Sequence, residues 1–245
     1  MSICAENCDS QFFKDNSKVS FTDLESSSFH LCVDKFDELF EYLLKIKDDA
    51  EKTKCKKIKI AFYLNYTGYD LFASLCFIEL LQSKIFSEEV GLSVSFFTQF
   101  HPMFLHVTEF DVKSFFEYKS QDIYIQTALK MFKKRLYFDW VFHSHTFRTF
   151  TENKYEICNN AYDLCFFKGD LHYRKIVGDF RWNFQTTLRQ ALVDREIKAL
   201  CTMRIIKSEI IVDFKETDSL NMNFIKNSFK NQDANCLDLN FCQIF

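Results

Sequence analysis

Short apolar runs that alternate with stretches of helical period dominate the chain from residue 58 onward, and this alternation limits the fold more than any other feature. Ile58–Leu64, Leu92–Thr98, Trp140–Ser144 and Tyr162–Phe167 have the length of buried strands. Ile205–Phe214 holds a fifth candidate and Leu237–Phe245 a last. Between them the period changes, and Tyr69–Gln82, Asp111–Phe116, Asp122–Arg135 and the stretch from Leu171 onward read as helices. The α/β class follows, with a mostly parallel sheet and helices on both of its faces. Upstream, Asp34–Lys47 carries Phe36, Leu39, Phe40, Leu43, Leu44 and Ile46 on one stripe, an amphipathic helix. Residues 1–28 are polar and serine-rich. The expected organisation is an N-terminal arm plus a helix over 1–55 and an α/β domain over 56–245.

Composition narrows the function classes. The chain has 245 residues, with 31 Phe but only 4 Gly and 1 Pro, so each glycine is expected where the backbone needs it. Scarce Gly and Pro beside abundant Phe, Lys, Asn and Ile suit translation of an AT-rich genome. The net charge of −3 means that any nucleic-acid contact must come from local basic patches. Ten cysteines form no CxxC pair, and the close spacings Cys4/Cys8, Cys158/Cys165 and Cys236/Cys242 fit no zinc site. With residues 1–20 polar and no apolar run of about 18 residues, the expectation is reduced thiols in a cytoplasmic protein. Neither membrane nor DNA is expected as a partner.

In sheets of this kind, ligands sit beyond the carboxyl ends of the strands. The turns after Leu64, Thr98, Phe142 and Phe167 are therefore the places to search, and none carries GxGxxG or a Walker loop. The turn after Phe167 reads FFKGDLHYRKIVGDFRW over Phe166–Trp182. Gly169 permits a tight turn, and Asp170 could cap the following helix. Lys168, Arg174 and Lys175 add charge suited to an anion. Gly178-Asp179 marks the end of that helix. The residues alone leave two readings open: an anion grip, or an ordinary capped turn with solvated cations. Elsewhere His143-Ser144-His145 reads as a strand end rather than a ligand pair. Phe132, Phe147 and Phe180 read as core before base-stacking platforms.

The run FKGDLHYRKIVGDFRW resembles a motif of the damage-control phosphatase superfamily, in the branch named for an acidic-residue methyltransferase. Gln190-Ala191-Leu192, Leu200-Cys201-Thr202-Met203-Arg204 with Lys207, and His145-Thr146-Phe147 resemble further stretches of it, over roughly residues 55–245. The resemblance implies a three-layer α/β/α fold and a divalent metal such as manganese or magnesium. It also implies removal of phosphate from damaged sugar or nucleotide metabolites, or carboxyl methylation. By the same resemblance the Lys168–Arg174 turn would hold substrate phosphate with Lys207 near it; with the basic cluster that runs on to Arg189, the expected anion- or RNA-binding set is Lys168, Gly169, Asp170, Tyr173, Arg174, Lys175, Arg181, Arg189 and Lys207. Where the family places its metal ligands, this chain has Asn65 and Tyr66, Asp70 and His106. A hard cation wants several charged oxygen donors, so the expectation is no metal, no cofactor and no catalysis. If the chain is active, Asn65, Asp70 and Asp170 would carry the site.

Motif, shortened length and composition together resemble a reduced branch of this family from microsporidian parasites that holds ribosomes dormant. That resemblance implies a non-catalytic factor occupying the tRNA exit site, touching rRNA and ribosomal proteins of both subunits. The basic patches Lys54, Lys56, Lys57, Lys133, Lys134 and Arg135 would add phosphate contacts. The alternative is a phosphatase or carboxyl methyltransferase with altered metal ligation.

Overall fold

Two-residue alternation sets which side of each strand meets which helices. The computed structural model describes residues 30–54, 57–86, 90–100, 106–145, 161–192, 197–216, 223, 225–227 and 236–243. The arm over 1–28, Lys56, Phe147, and Cys4, Cys8, Cys55 and Cys158 lie outside the described residues.

The described elements run β1 (His30–Asp34), α1 (Phe36–Lys52), β2 (Lys57–Tyr63), α2 (Tyr69–Lys84), β3 (Gly91–Gln99), α3 (Glu109–Glu117) and α4 (Ile123–Phe138). They continue with β4 (Trp140–His145), β5 (Leu164–Lys168), α5 (Asp170–Ile176), α6 (Leu188–Ala191), β6 (Ala199–Ile205) and β7 (Cys236–Gln243). Seven strands form one sheet in the order β1-β7-β6-β5-β2-β3-β4. Strands β2 to β6 run parallel; β7 is antiparallel to β6, and β1 lies parallel to β7. β5 and β6 are buried along their whole length, as central strands covered on both faces must be.

On one face Ile58, Ile60, Phe62 and Leu64 pack with Leu92, Val94 and Phe96 under Leu39 and Leu43 of α1, Leu71, Leu75 and Ile78 of α2, and Phe132 of α4. On the other, Ala61, Tyr63 and Phe167 pack with Tyr173 and Ile176 of α5 and Leu188 of α6. Helices cover both faces, giving the expected three layers. The phenylalanine wealth is spent here: Phe166 meets Phe62 at 5.4 Å and Phe77 at 5.5 Å, and Tyr63 stacks on Phe167 at 4.4 Å. Each such ring pair adds about 0.5–1.5 kcal/mol beyond the area it buries. Phe132, fully buried, is core, whereas Phe180 is exposed.

Two elements differ from the sequence reading. The strand expected within Ile205–Phe214 lies earlier, at Ala199–Ile205. Residues 206–214 instead form a loop whose Ile206, Ile211 and Phe214 pack with Cys32, Val33 and Cys236 in a separate apolar cluster. That loop is as apolar as a strand, so burial without pairing misleads a reading by hydrophobicity. β1, five residues with no clear alternation, went unread. Residues 30–52, which the sequence reading set apart with the arm, supply the sheet's edge strand β1 and core residues Leu39, Tyr42 and Leu43.

Candidate active site

Four chain segments converge beyond the carboxyl ends of the parallel strands: Asn65–Tyr66 after β2, His106–Thr108 after β3, Gly169–Asp170 after β5 and Lys207–Ser208 after β6. Backbone contacts tie them together. Val107 donates to the Asn65 carbonyl at 3.0 Å, Gln99 donates to the Val107 carbonyl at 2.8 Å, and Tyr66 bridges His106 in antiparallel fashion. The Tyr66 and His106 rings meet edge to face at 5.0 Å. Lys207 is exposed at the rim, its Nζ 3.4 Å from Tyr66 Oη and 4.9 Å from the ring centroid.

Gly169 is where the β5 turn needs a glycine. Its φ is +92°, and a Cβ there would lie 2.3 Å from the Asn65 side chain. The left-handed backbone and the tight approach both exclude other residues. Asn65 is buried, and its Nδ2 has no hydrogen-bond partner among the described residues. An amide donor buried without a partner costs about 1–3 kcal/mol, which makes this atom a natural place for an incoming acceptor.

Lys168 does not face that crevice. It is directed inward, with its Nζ 2.6 Å from Asp70 Oδ1, 2.9 Å from Ser74 Oγ and 3.2 Å from the Asp70 carbonyl. Asp70 in turn accepts the Tyr66 amide at 3.0 Å, so one carboxylate fixes the β2–α2 loop and neutralises the lysine. Both side chains are essentially inaccessible to water.

Asp170 does not cap α5 with its side chain, as the sequence suggested; the N-cap position is Gly169 and shows no side-chain cap. Its Oδ1 instead accepts from Arg204 Nη1 at 2.6 Å, the Lys207 amide at 3.2 Å and Ser208 Oγ at 3.1 Å. Arg204 is wholly buried. Its Nε donates to Asp238 Oδ2 at 3.0 Å, its Nη2 to the Ile210 carbonyl at 2.7 Å, and its Cζ lies 3.3 Å from the Tyr173 ring centroid. Burial opposes the arginine's charge, but Tyr173, Asp238 and Asp170 outweigh it and push its pKa up. Burial raises the Asp238 carboxyl to about 6 against the pull of Arg204. Tyr173 is therefore an arginine platform; its Oη accepts the Val212 amide at 2.9 Å.

The remaining anion candidates disperse. Arg174 is held by Asp179 through two bonds of 2.7 and 2.8 Å, and that pairing raises its pKa. Burial lowers Lys175 to about 8. Arg181 is exposed, 3.6 Å from Glu209. Arg189 lines a cleft of about 450 Å³ with Lys35, Tyr42 and Phe241, away from the strand-end crevice. Of the basic patches, Lys54, Lys133 and Lys134 are exposed. Lys57 pairs with Asp139 at 2.7 Å, and Arg135 clamps Glu79 at 2.8 and 3.0 Å. The sequence reading missed Asp238 as a site residue and quoted Arg204 only as part of a resemblance. The one available signal was an arginine ending the largely apolar run Ala199–Met203, which has to find carboxylates once buried.

A model of the damage-control phosphatase ARMT1-like domain matches residues 2–220. The chain belongs to the damage-control phosphatase ARMT1-like family. The match begins well upstream of residue 55, so it also takes in the N-terminal portion. The damage-control phosphatase ARMT1 of Macaca fascicularis is 27% identical over 238 residues, covering 88% of this chain and 51% of the relative. The human protein of that name is 27% identical over 208 residues, covering 77% and 44%. The Xenopus tropicalis one reaches 35% over 88 residues, covering 31% and 19%. The chain spans about half the length of the first two or less. These names belong to an enzyme family, which overturns the expectation that the chain is not an enzyme.

The family resemblance implies a divalent metal, and the donor set does not fit one. Three carboxylates lie behind the strand ends; Asp70 and Asp170 each hold a buried cation at 2.6 Å, and Asp238 shares Arg204 at 3.0 Å. Among the described residues, no three His, Cys, Asp or Glu side chains gather in an arrangement that could hold a metal ion. Asn65 and His106 alone offer a hard cation too little negative oxygen.

Replacing Lys168 by Met strands the buried Asp70 carboxylate, and the expected loss is about 3–5 kcal/mol in urea unfolding. Adding Asp70→Asn to that variant is expected to recover part of the loss; a double variant no more stable than the single one contradicts the assigned pair. For Lys175 the folded pKa of about 8 lies below the ordinary value of 10.5, so the unfolded chain binds more protons between them. Stability is expected to rise with pH across that window and to fall as pH drops through 8. Lys175→Met is expected to abolish that slope in melting curves taken from pH 7 to 10.

Proposed function

We propose that the chain hydrolyses phosphomonoesters of small phosphorylated metabolites in the crevice beyond β2, β3, β5 and β6. One observation carries the reading. The Lys207 ammonium stands at the rim beside Tyr66, and the donor Asn65 Nδ2 lies buried below without a partner among the described residues. A phosphoryl oxygen entering there meets a full positive charge and, behind it, an amide donor, both groups of the kind that stabilise developing negative charge. Family membership supports phosphate-ester chemistry at this edge. Tyr66 and His106, packed ring to ring, wall the entrance and fix where the substrate can approach.

Phosphate release from a panel of phosphorylated sugars tests the proposal. Wild-type protein is expected to turn over at least one of them. Lys207→Ala is expected to lower kcat/KM about tenfold or more, chiefly by raising KM, because the charge grips the phosphate before and during reaction. The absence of turnover on every ester would remove the phosphatase reading.

A second reading concerns a partner rather than a reaction. Lys52 and Lys54 at the end of α1 and Lys133 and Lys134 on α4 are exposed. The Lys57–Asp139 pair draws the start of β2 to the end of α4, so these cations share the amino edge of the sheet, opposite the crevice. Such a patch suits the phosphate backbone of rRNA, in line with the resemblance to ribosome-idling members. Co-sedimentation with ribosomes is expected to weaken as salt rises, with a slope reduced by about one per lysine removed from this edge. Salt-independent pelleting contradicts it.

A further inference from the structure

We infer that the crevice takes phosphate without a divalent co-ligand, because Lys168 and Arg204 are resident counter-cations that already engage the carboxylates a metal would need. The inference rests on the phosphate-site reading above and deepens it. Three carboxylates lie behind the strand ends: Asp70, Asp170 and Asp238. Lys168 holds the first through the 2.6 Å contact, and its remaining donors are spent on Ser74 Oγ and the Asp70 carbonyl. Arg204 holds the other two, at 2.6 and 3.0 Å, with its third arm on the Ile210 carbonyl.

For a divalent ion to draw on the full charge of a carboxylate, that carboxylate would have to be given up by the ammonium or guanidinium that already engages it. Neither cation has an exit. Both side chains are at most 1% accessible, and Arg204 is sandwiched against the Tyr173 ring. Breaking such a buried pair costs several kcal/mol and leaves an uncompensated charge in place. A phosphate asks for none of this. It needs a donor at the opening, which Lys207 Nζ supplies at the rim, and Asn65 Nδ2 adds a buried donor with no partner among the described residues. Asp170 Oδ1 also accepts the Lys207 amide, so the arginine-held carboxylate anchors the backbone that carries the rim lysine. The resident cations thus position the phosphate-binding residue rather than touch the phosphate themselves.

The test uses the whole chain and two probes, manganese alone and inorganic phosphate alone. Manganese added to metal-free protein is expected to keep the electron-spin resonance spectrum of the aqueous ion at protein concentrations of about 100 µM. Phosphate affinity, measured by calorimetry, is expected to be the same with EDTA as with manganese. It should fall about tenfold in Lys207→Ala, which leaves the buried pairs intact. Manganese bound stoichiometrically, or phosphate that binds only when manganese is present, overturns the inference. The two proposals fail separately. Hydrolysis that requires bound manganese leaves the phosphatase reading standing and removes this one. Metal-free phosphate binding without turnover of any ester does the reverse. Because the decisive measurements are made on wild-type protein, they do not depend on any variant folding.

Discussion

One guanidinium holds the working edge of this protein together. Arg204 sits at the end of a fully buried strand, where an isolated charge would be prohibitively costly. The cost is met by two carboxylates, one carbonyl and an aromatic face at 3.3 Å. Those partners come from different places: Asp238 from β7, Asp170 from the start of α5, Ile210 from the loop after β6, Tyr173 from α5. A single side chain therefore fixes the antiparallel β7 against β6, the helix that follows β5, and the loop bearing Lys207. A hydrophobic residue of similar volume could fill the space, but it could not set the direction of three chain segments at once.

The Lys168–Asp70 pair does the same work one strand over. It links the end of β5 to the start of α2, while Asp70 also receives the Tyr66 amide. The two buried pairs flank the Gly169 turn, and the glycine's close packing on Asn65 closes the gap between β2 and β5. Surface pairs such as Lys113 with Glu109 or Lys35 with Glu38 are open to solvent on at least one side and are screened there. Position in the fold, rather than the number of ion pairs, decides which ones matter.

Much of the fold was legible because strand and helix periods are local properties. Ile58–Leu64 and Leu92–Thr98 were read within a residue of their observed bounds, since their alternating faces meet two different layers. The strand at Ala199–Ile205 and the apolar loop after it were confused because both are buried, and only pairing with β5 and β7 separates them. At the site, the sequence located the turns but not the direction of the side chains in them. Lys168 beside a glycine looks like an anion grip. Its inward course depends on Asp70 and Ser74, 98 and 94 residues away. Asp170 looked like a helix cap for the same reason: the arginine that claims it is 34 residues distant.

That separation explains why similar motifs can support different electrostatics. A FKGD turn presents the same four residues whatever lies behind it, but the sign of the crevice is set by what neutralises its acid. Here the carboxylates are paired with buried cations, so the mouth of the crevice is defined by an ammonium and two rings, with a buried amide behind them. At the rim stands the charge of Lys207; behind it Asp70 is paired with Lys168, while Asp170 and Asp238 share the one guanidinium of Arg204. In a low-dielectric interior a close pair acts on its surroundings as a dipole rather than as a charge, and its influence falls off faster than that of the rim lysine. The anion preference proposed for this edge therefore rests on the buried cations that engage the acids behind it.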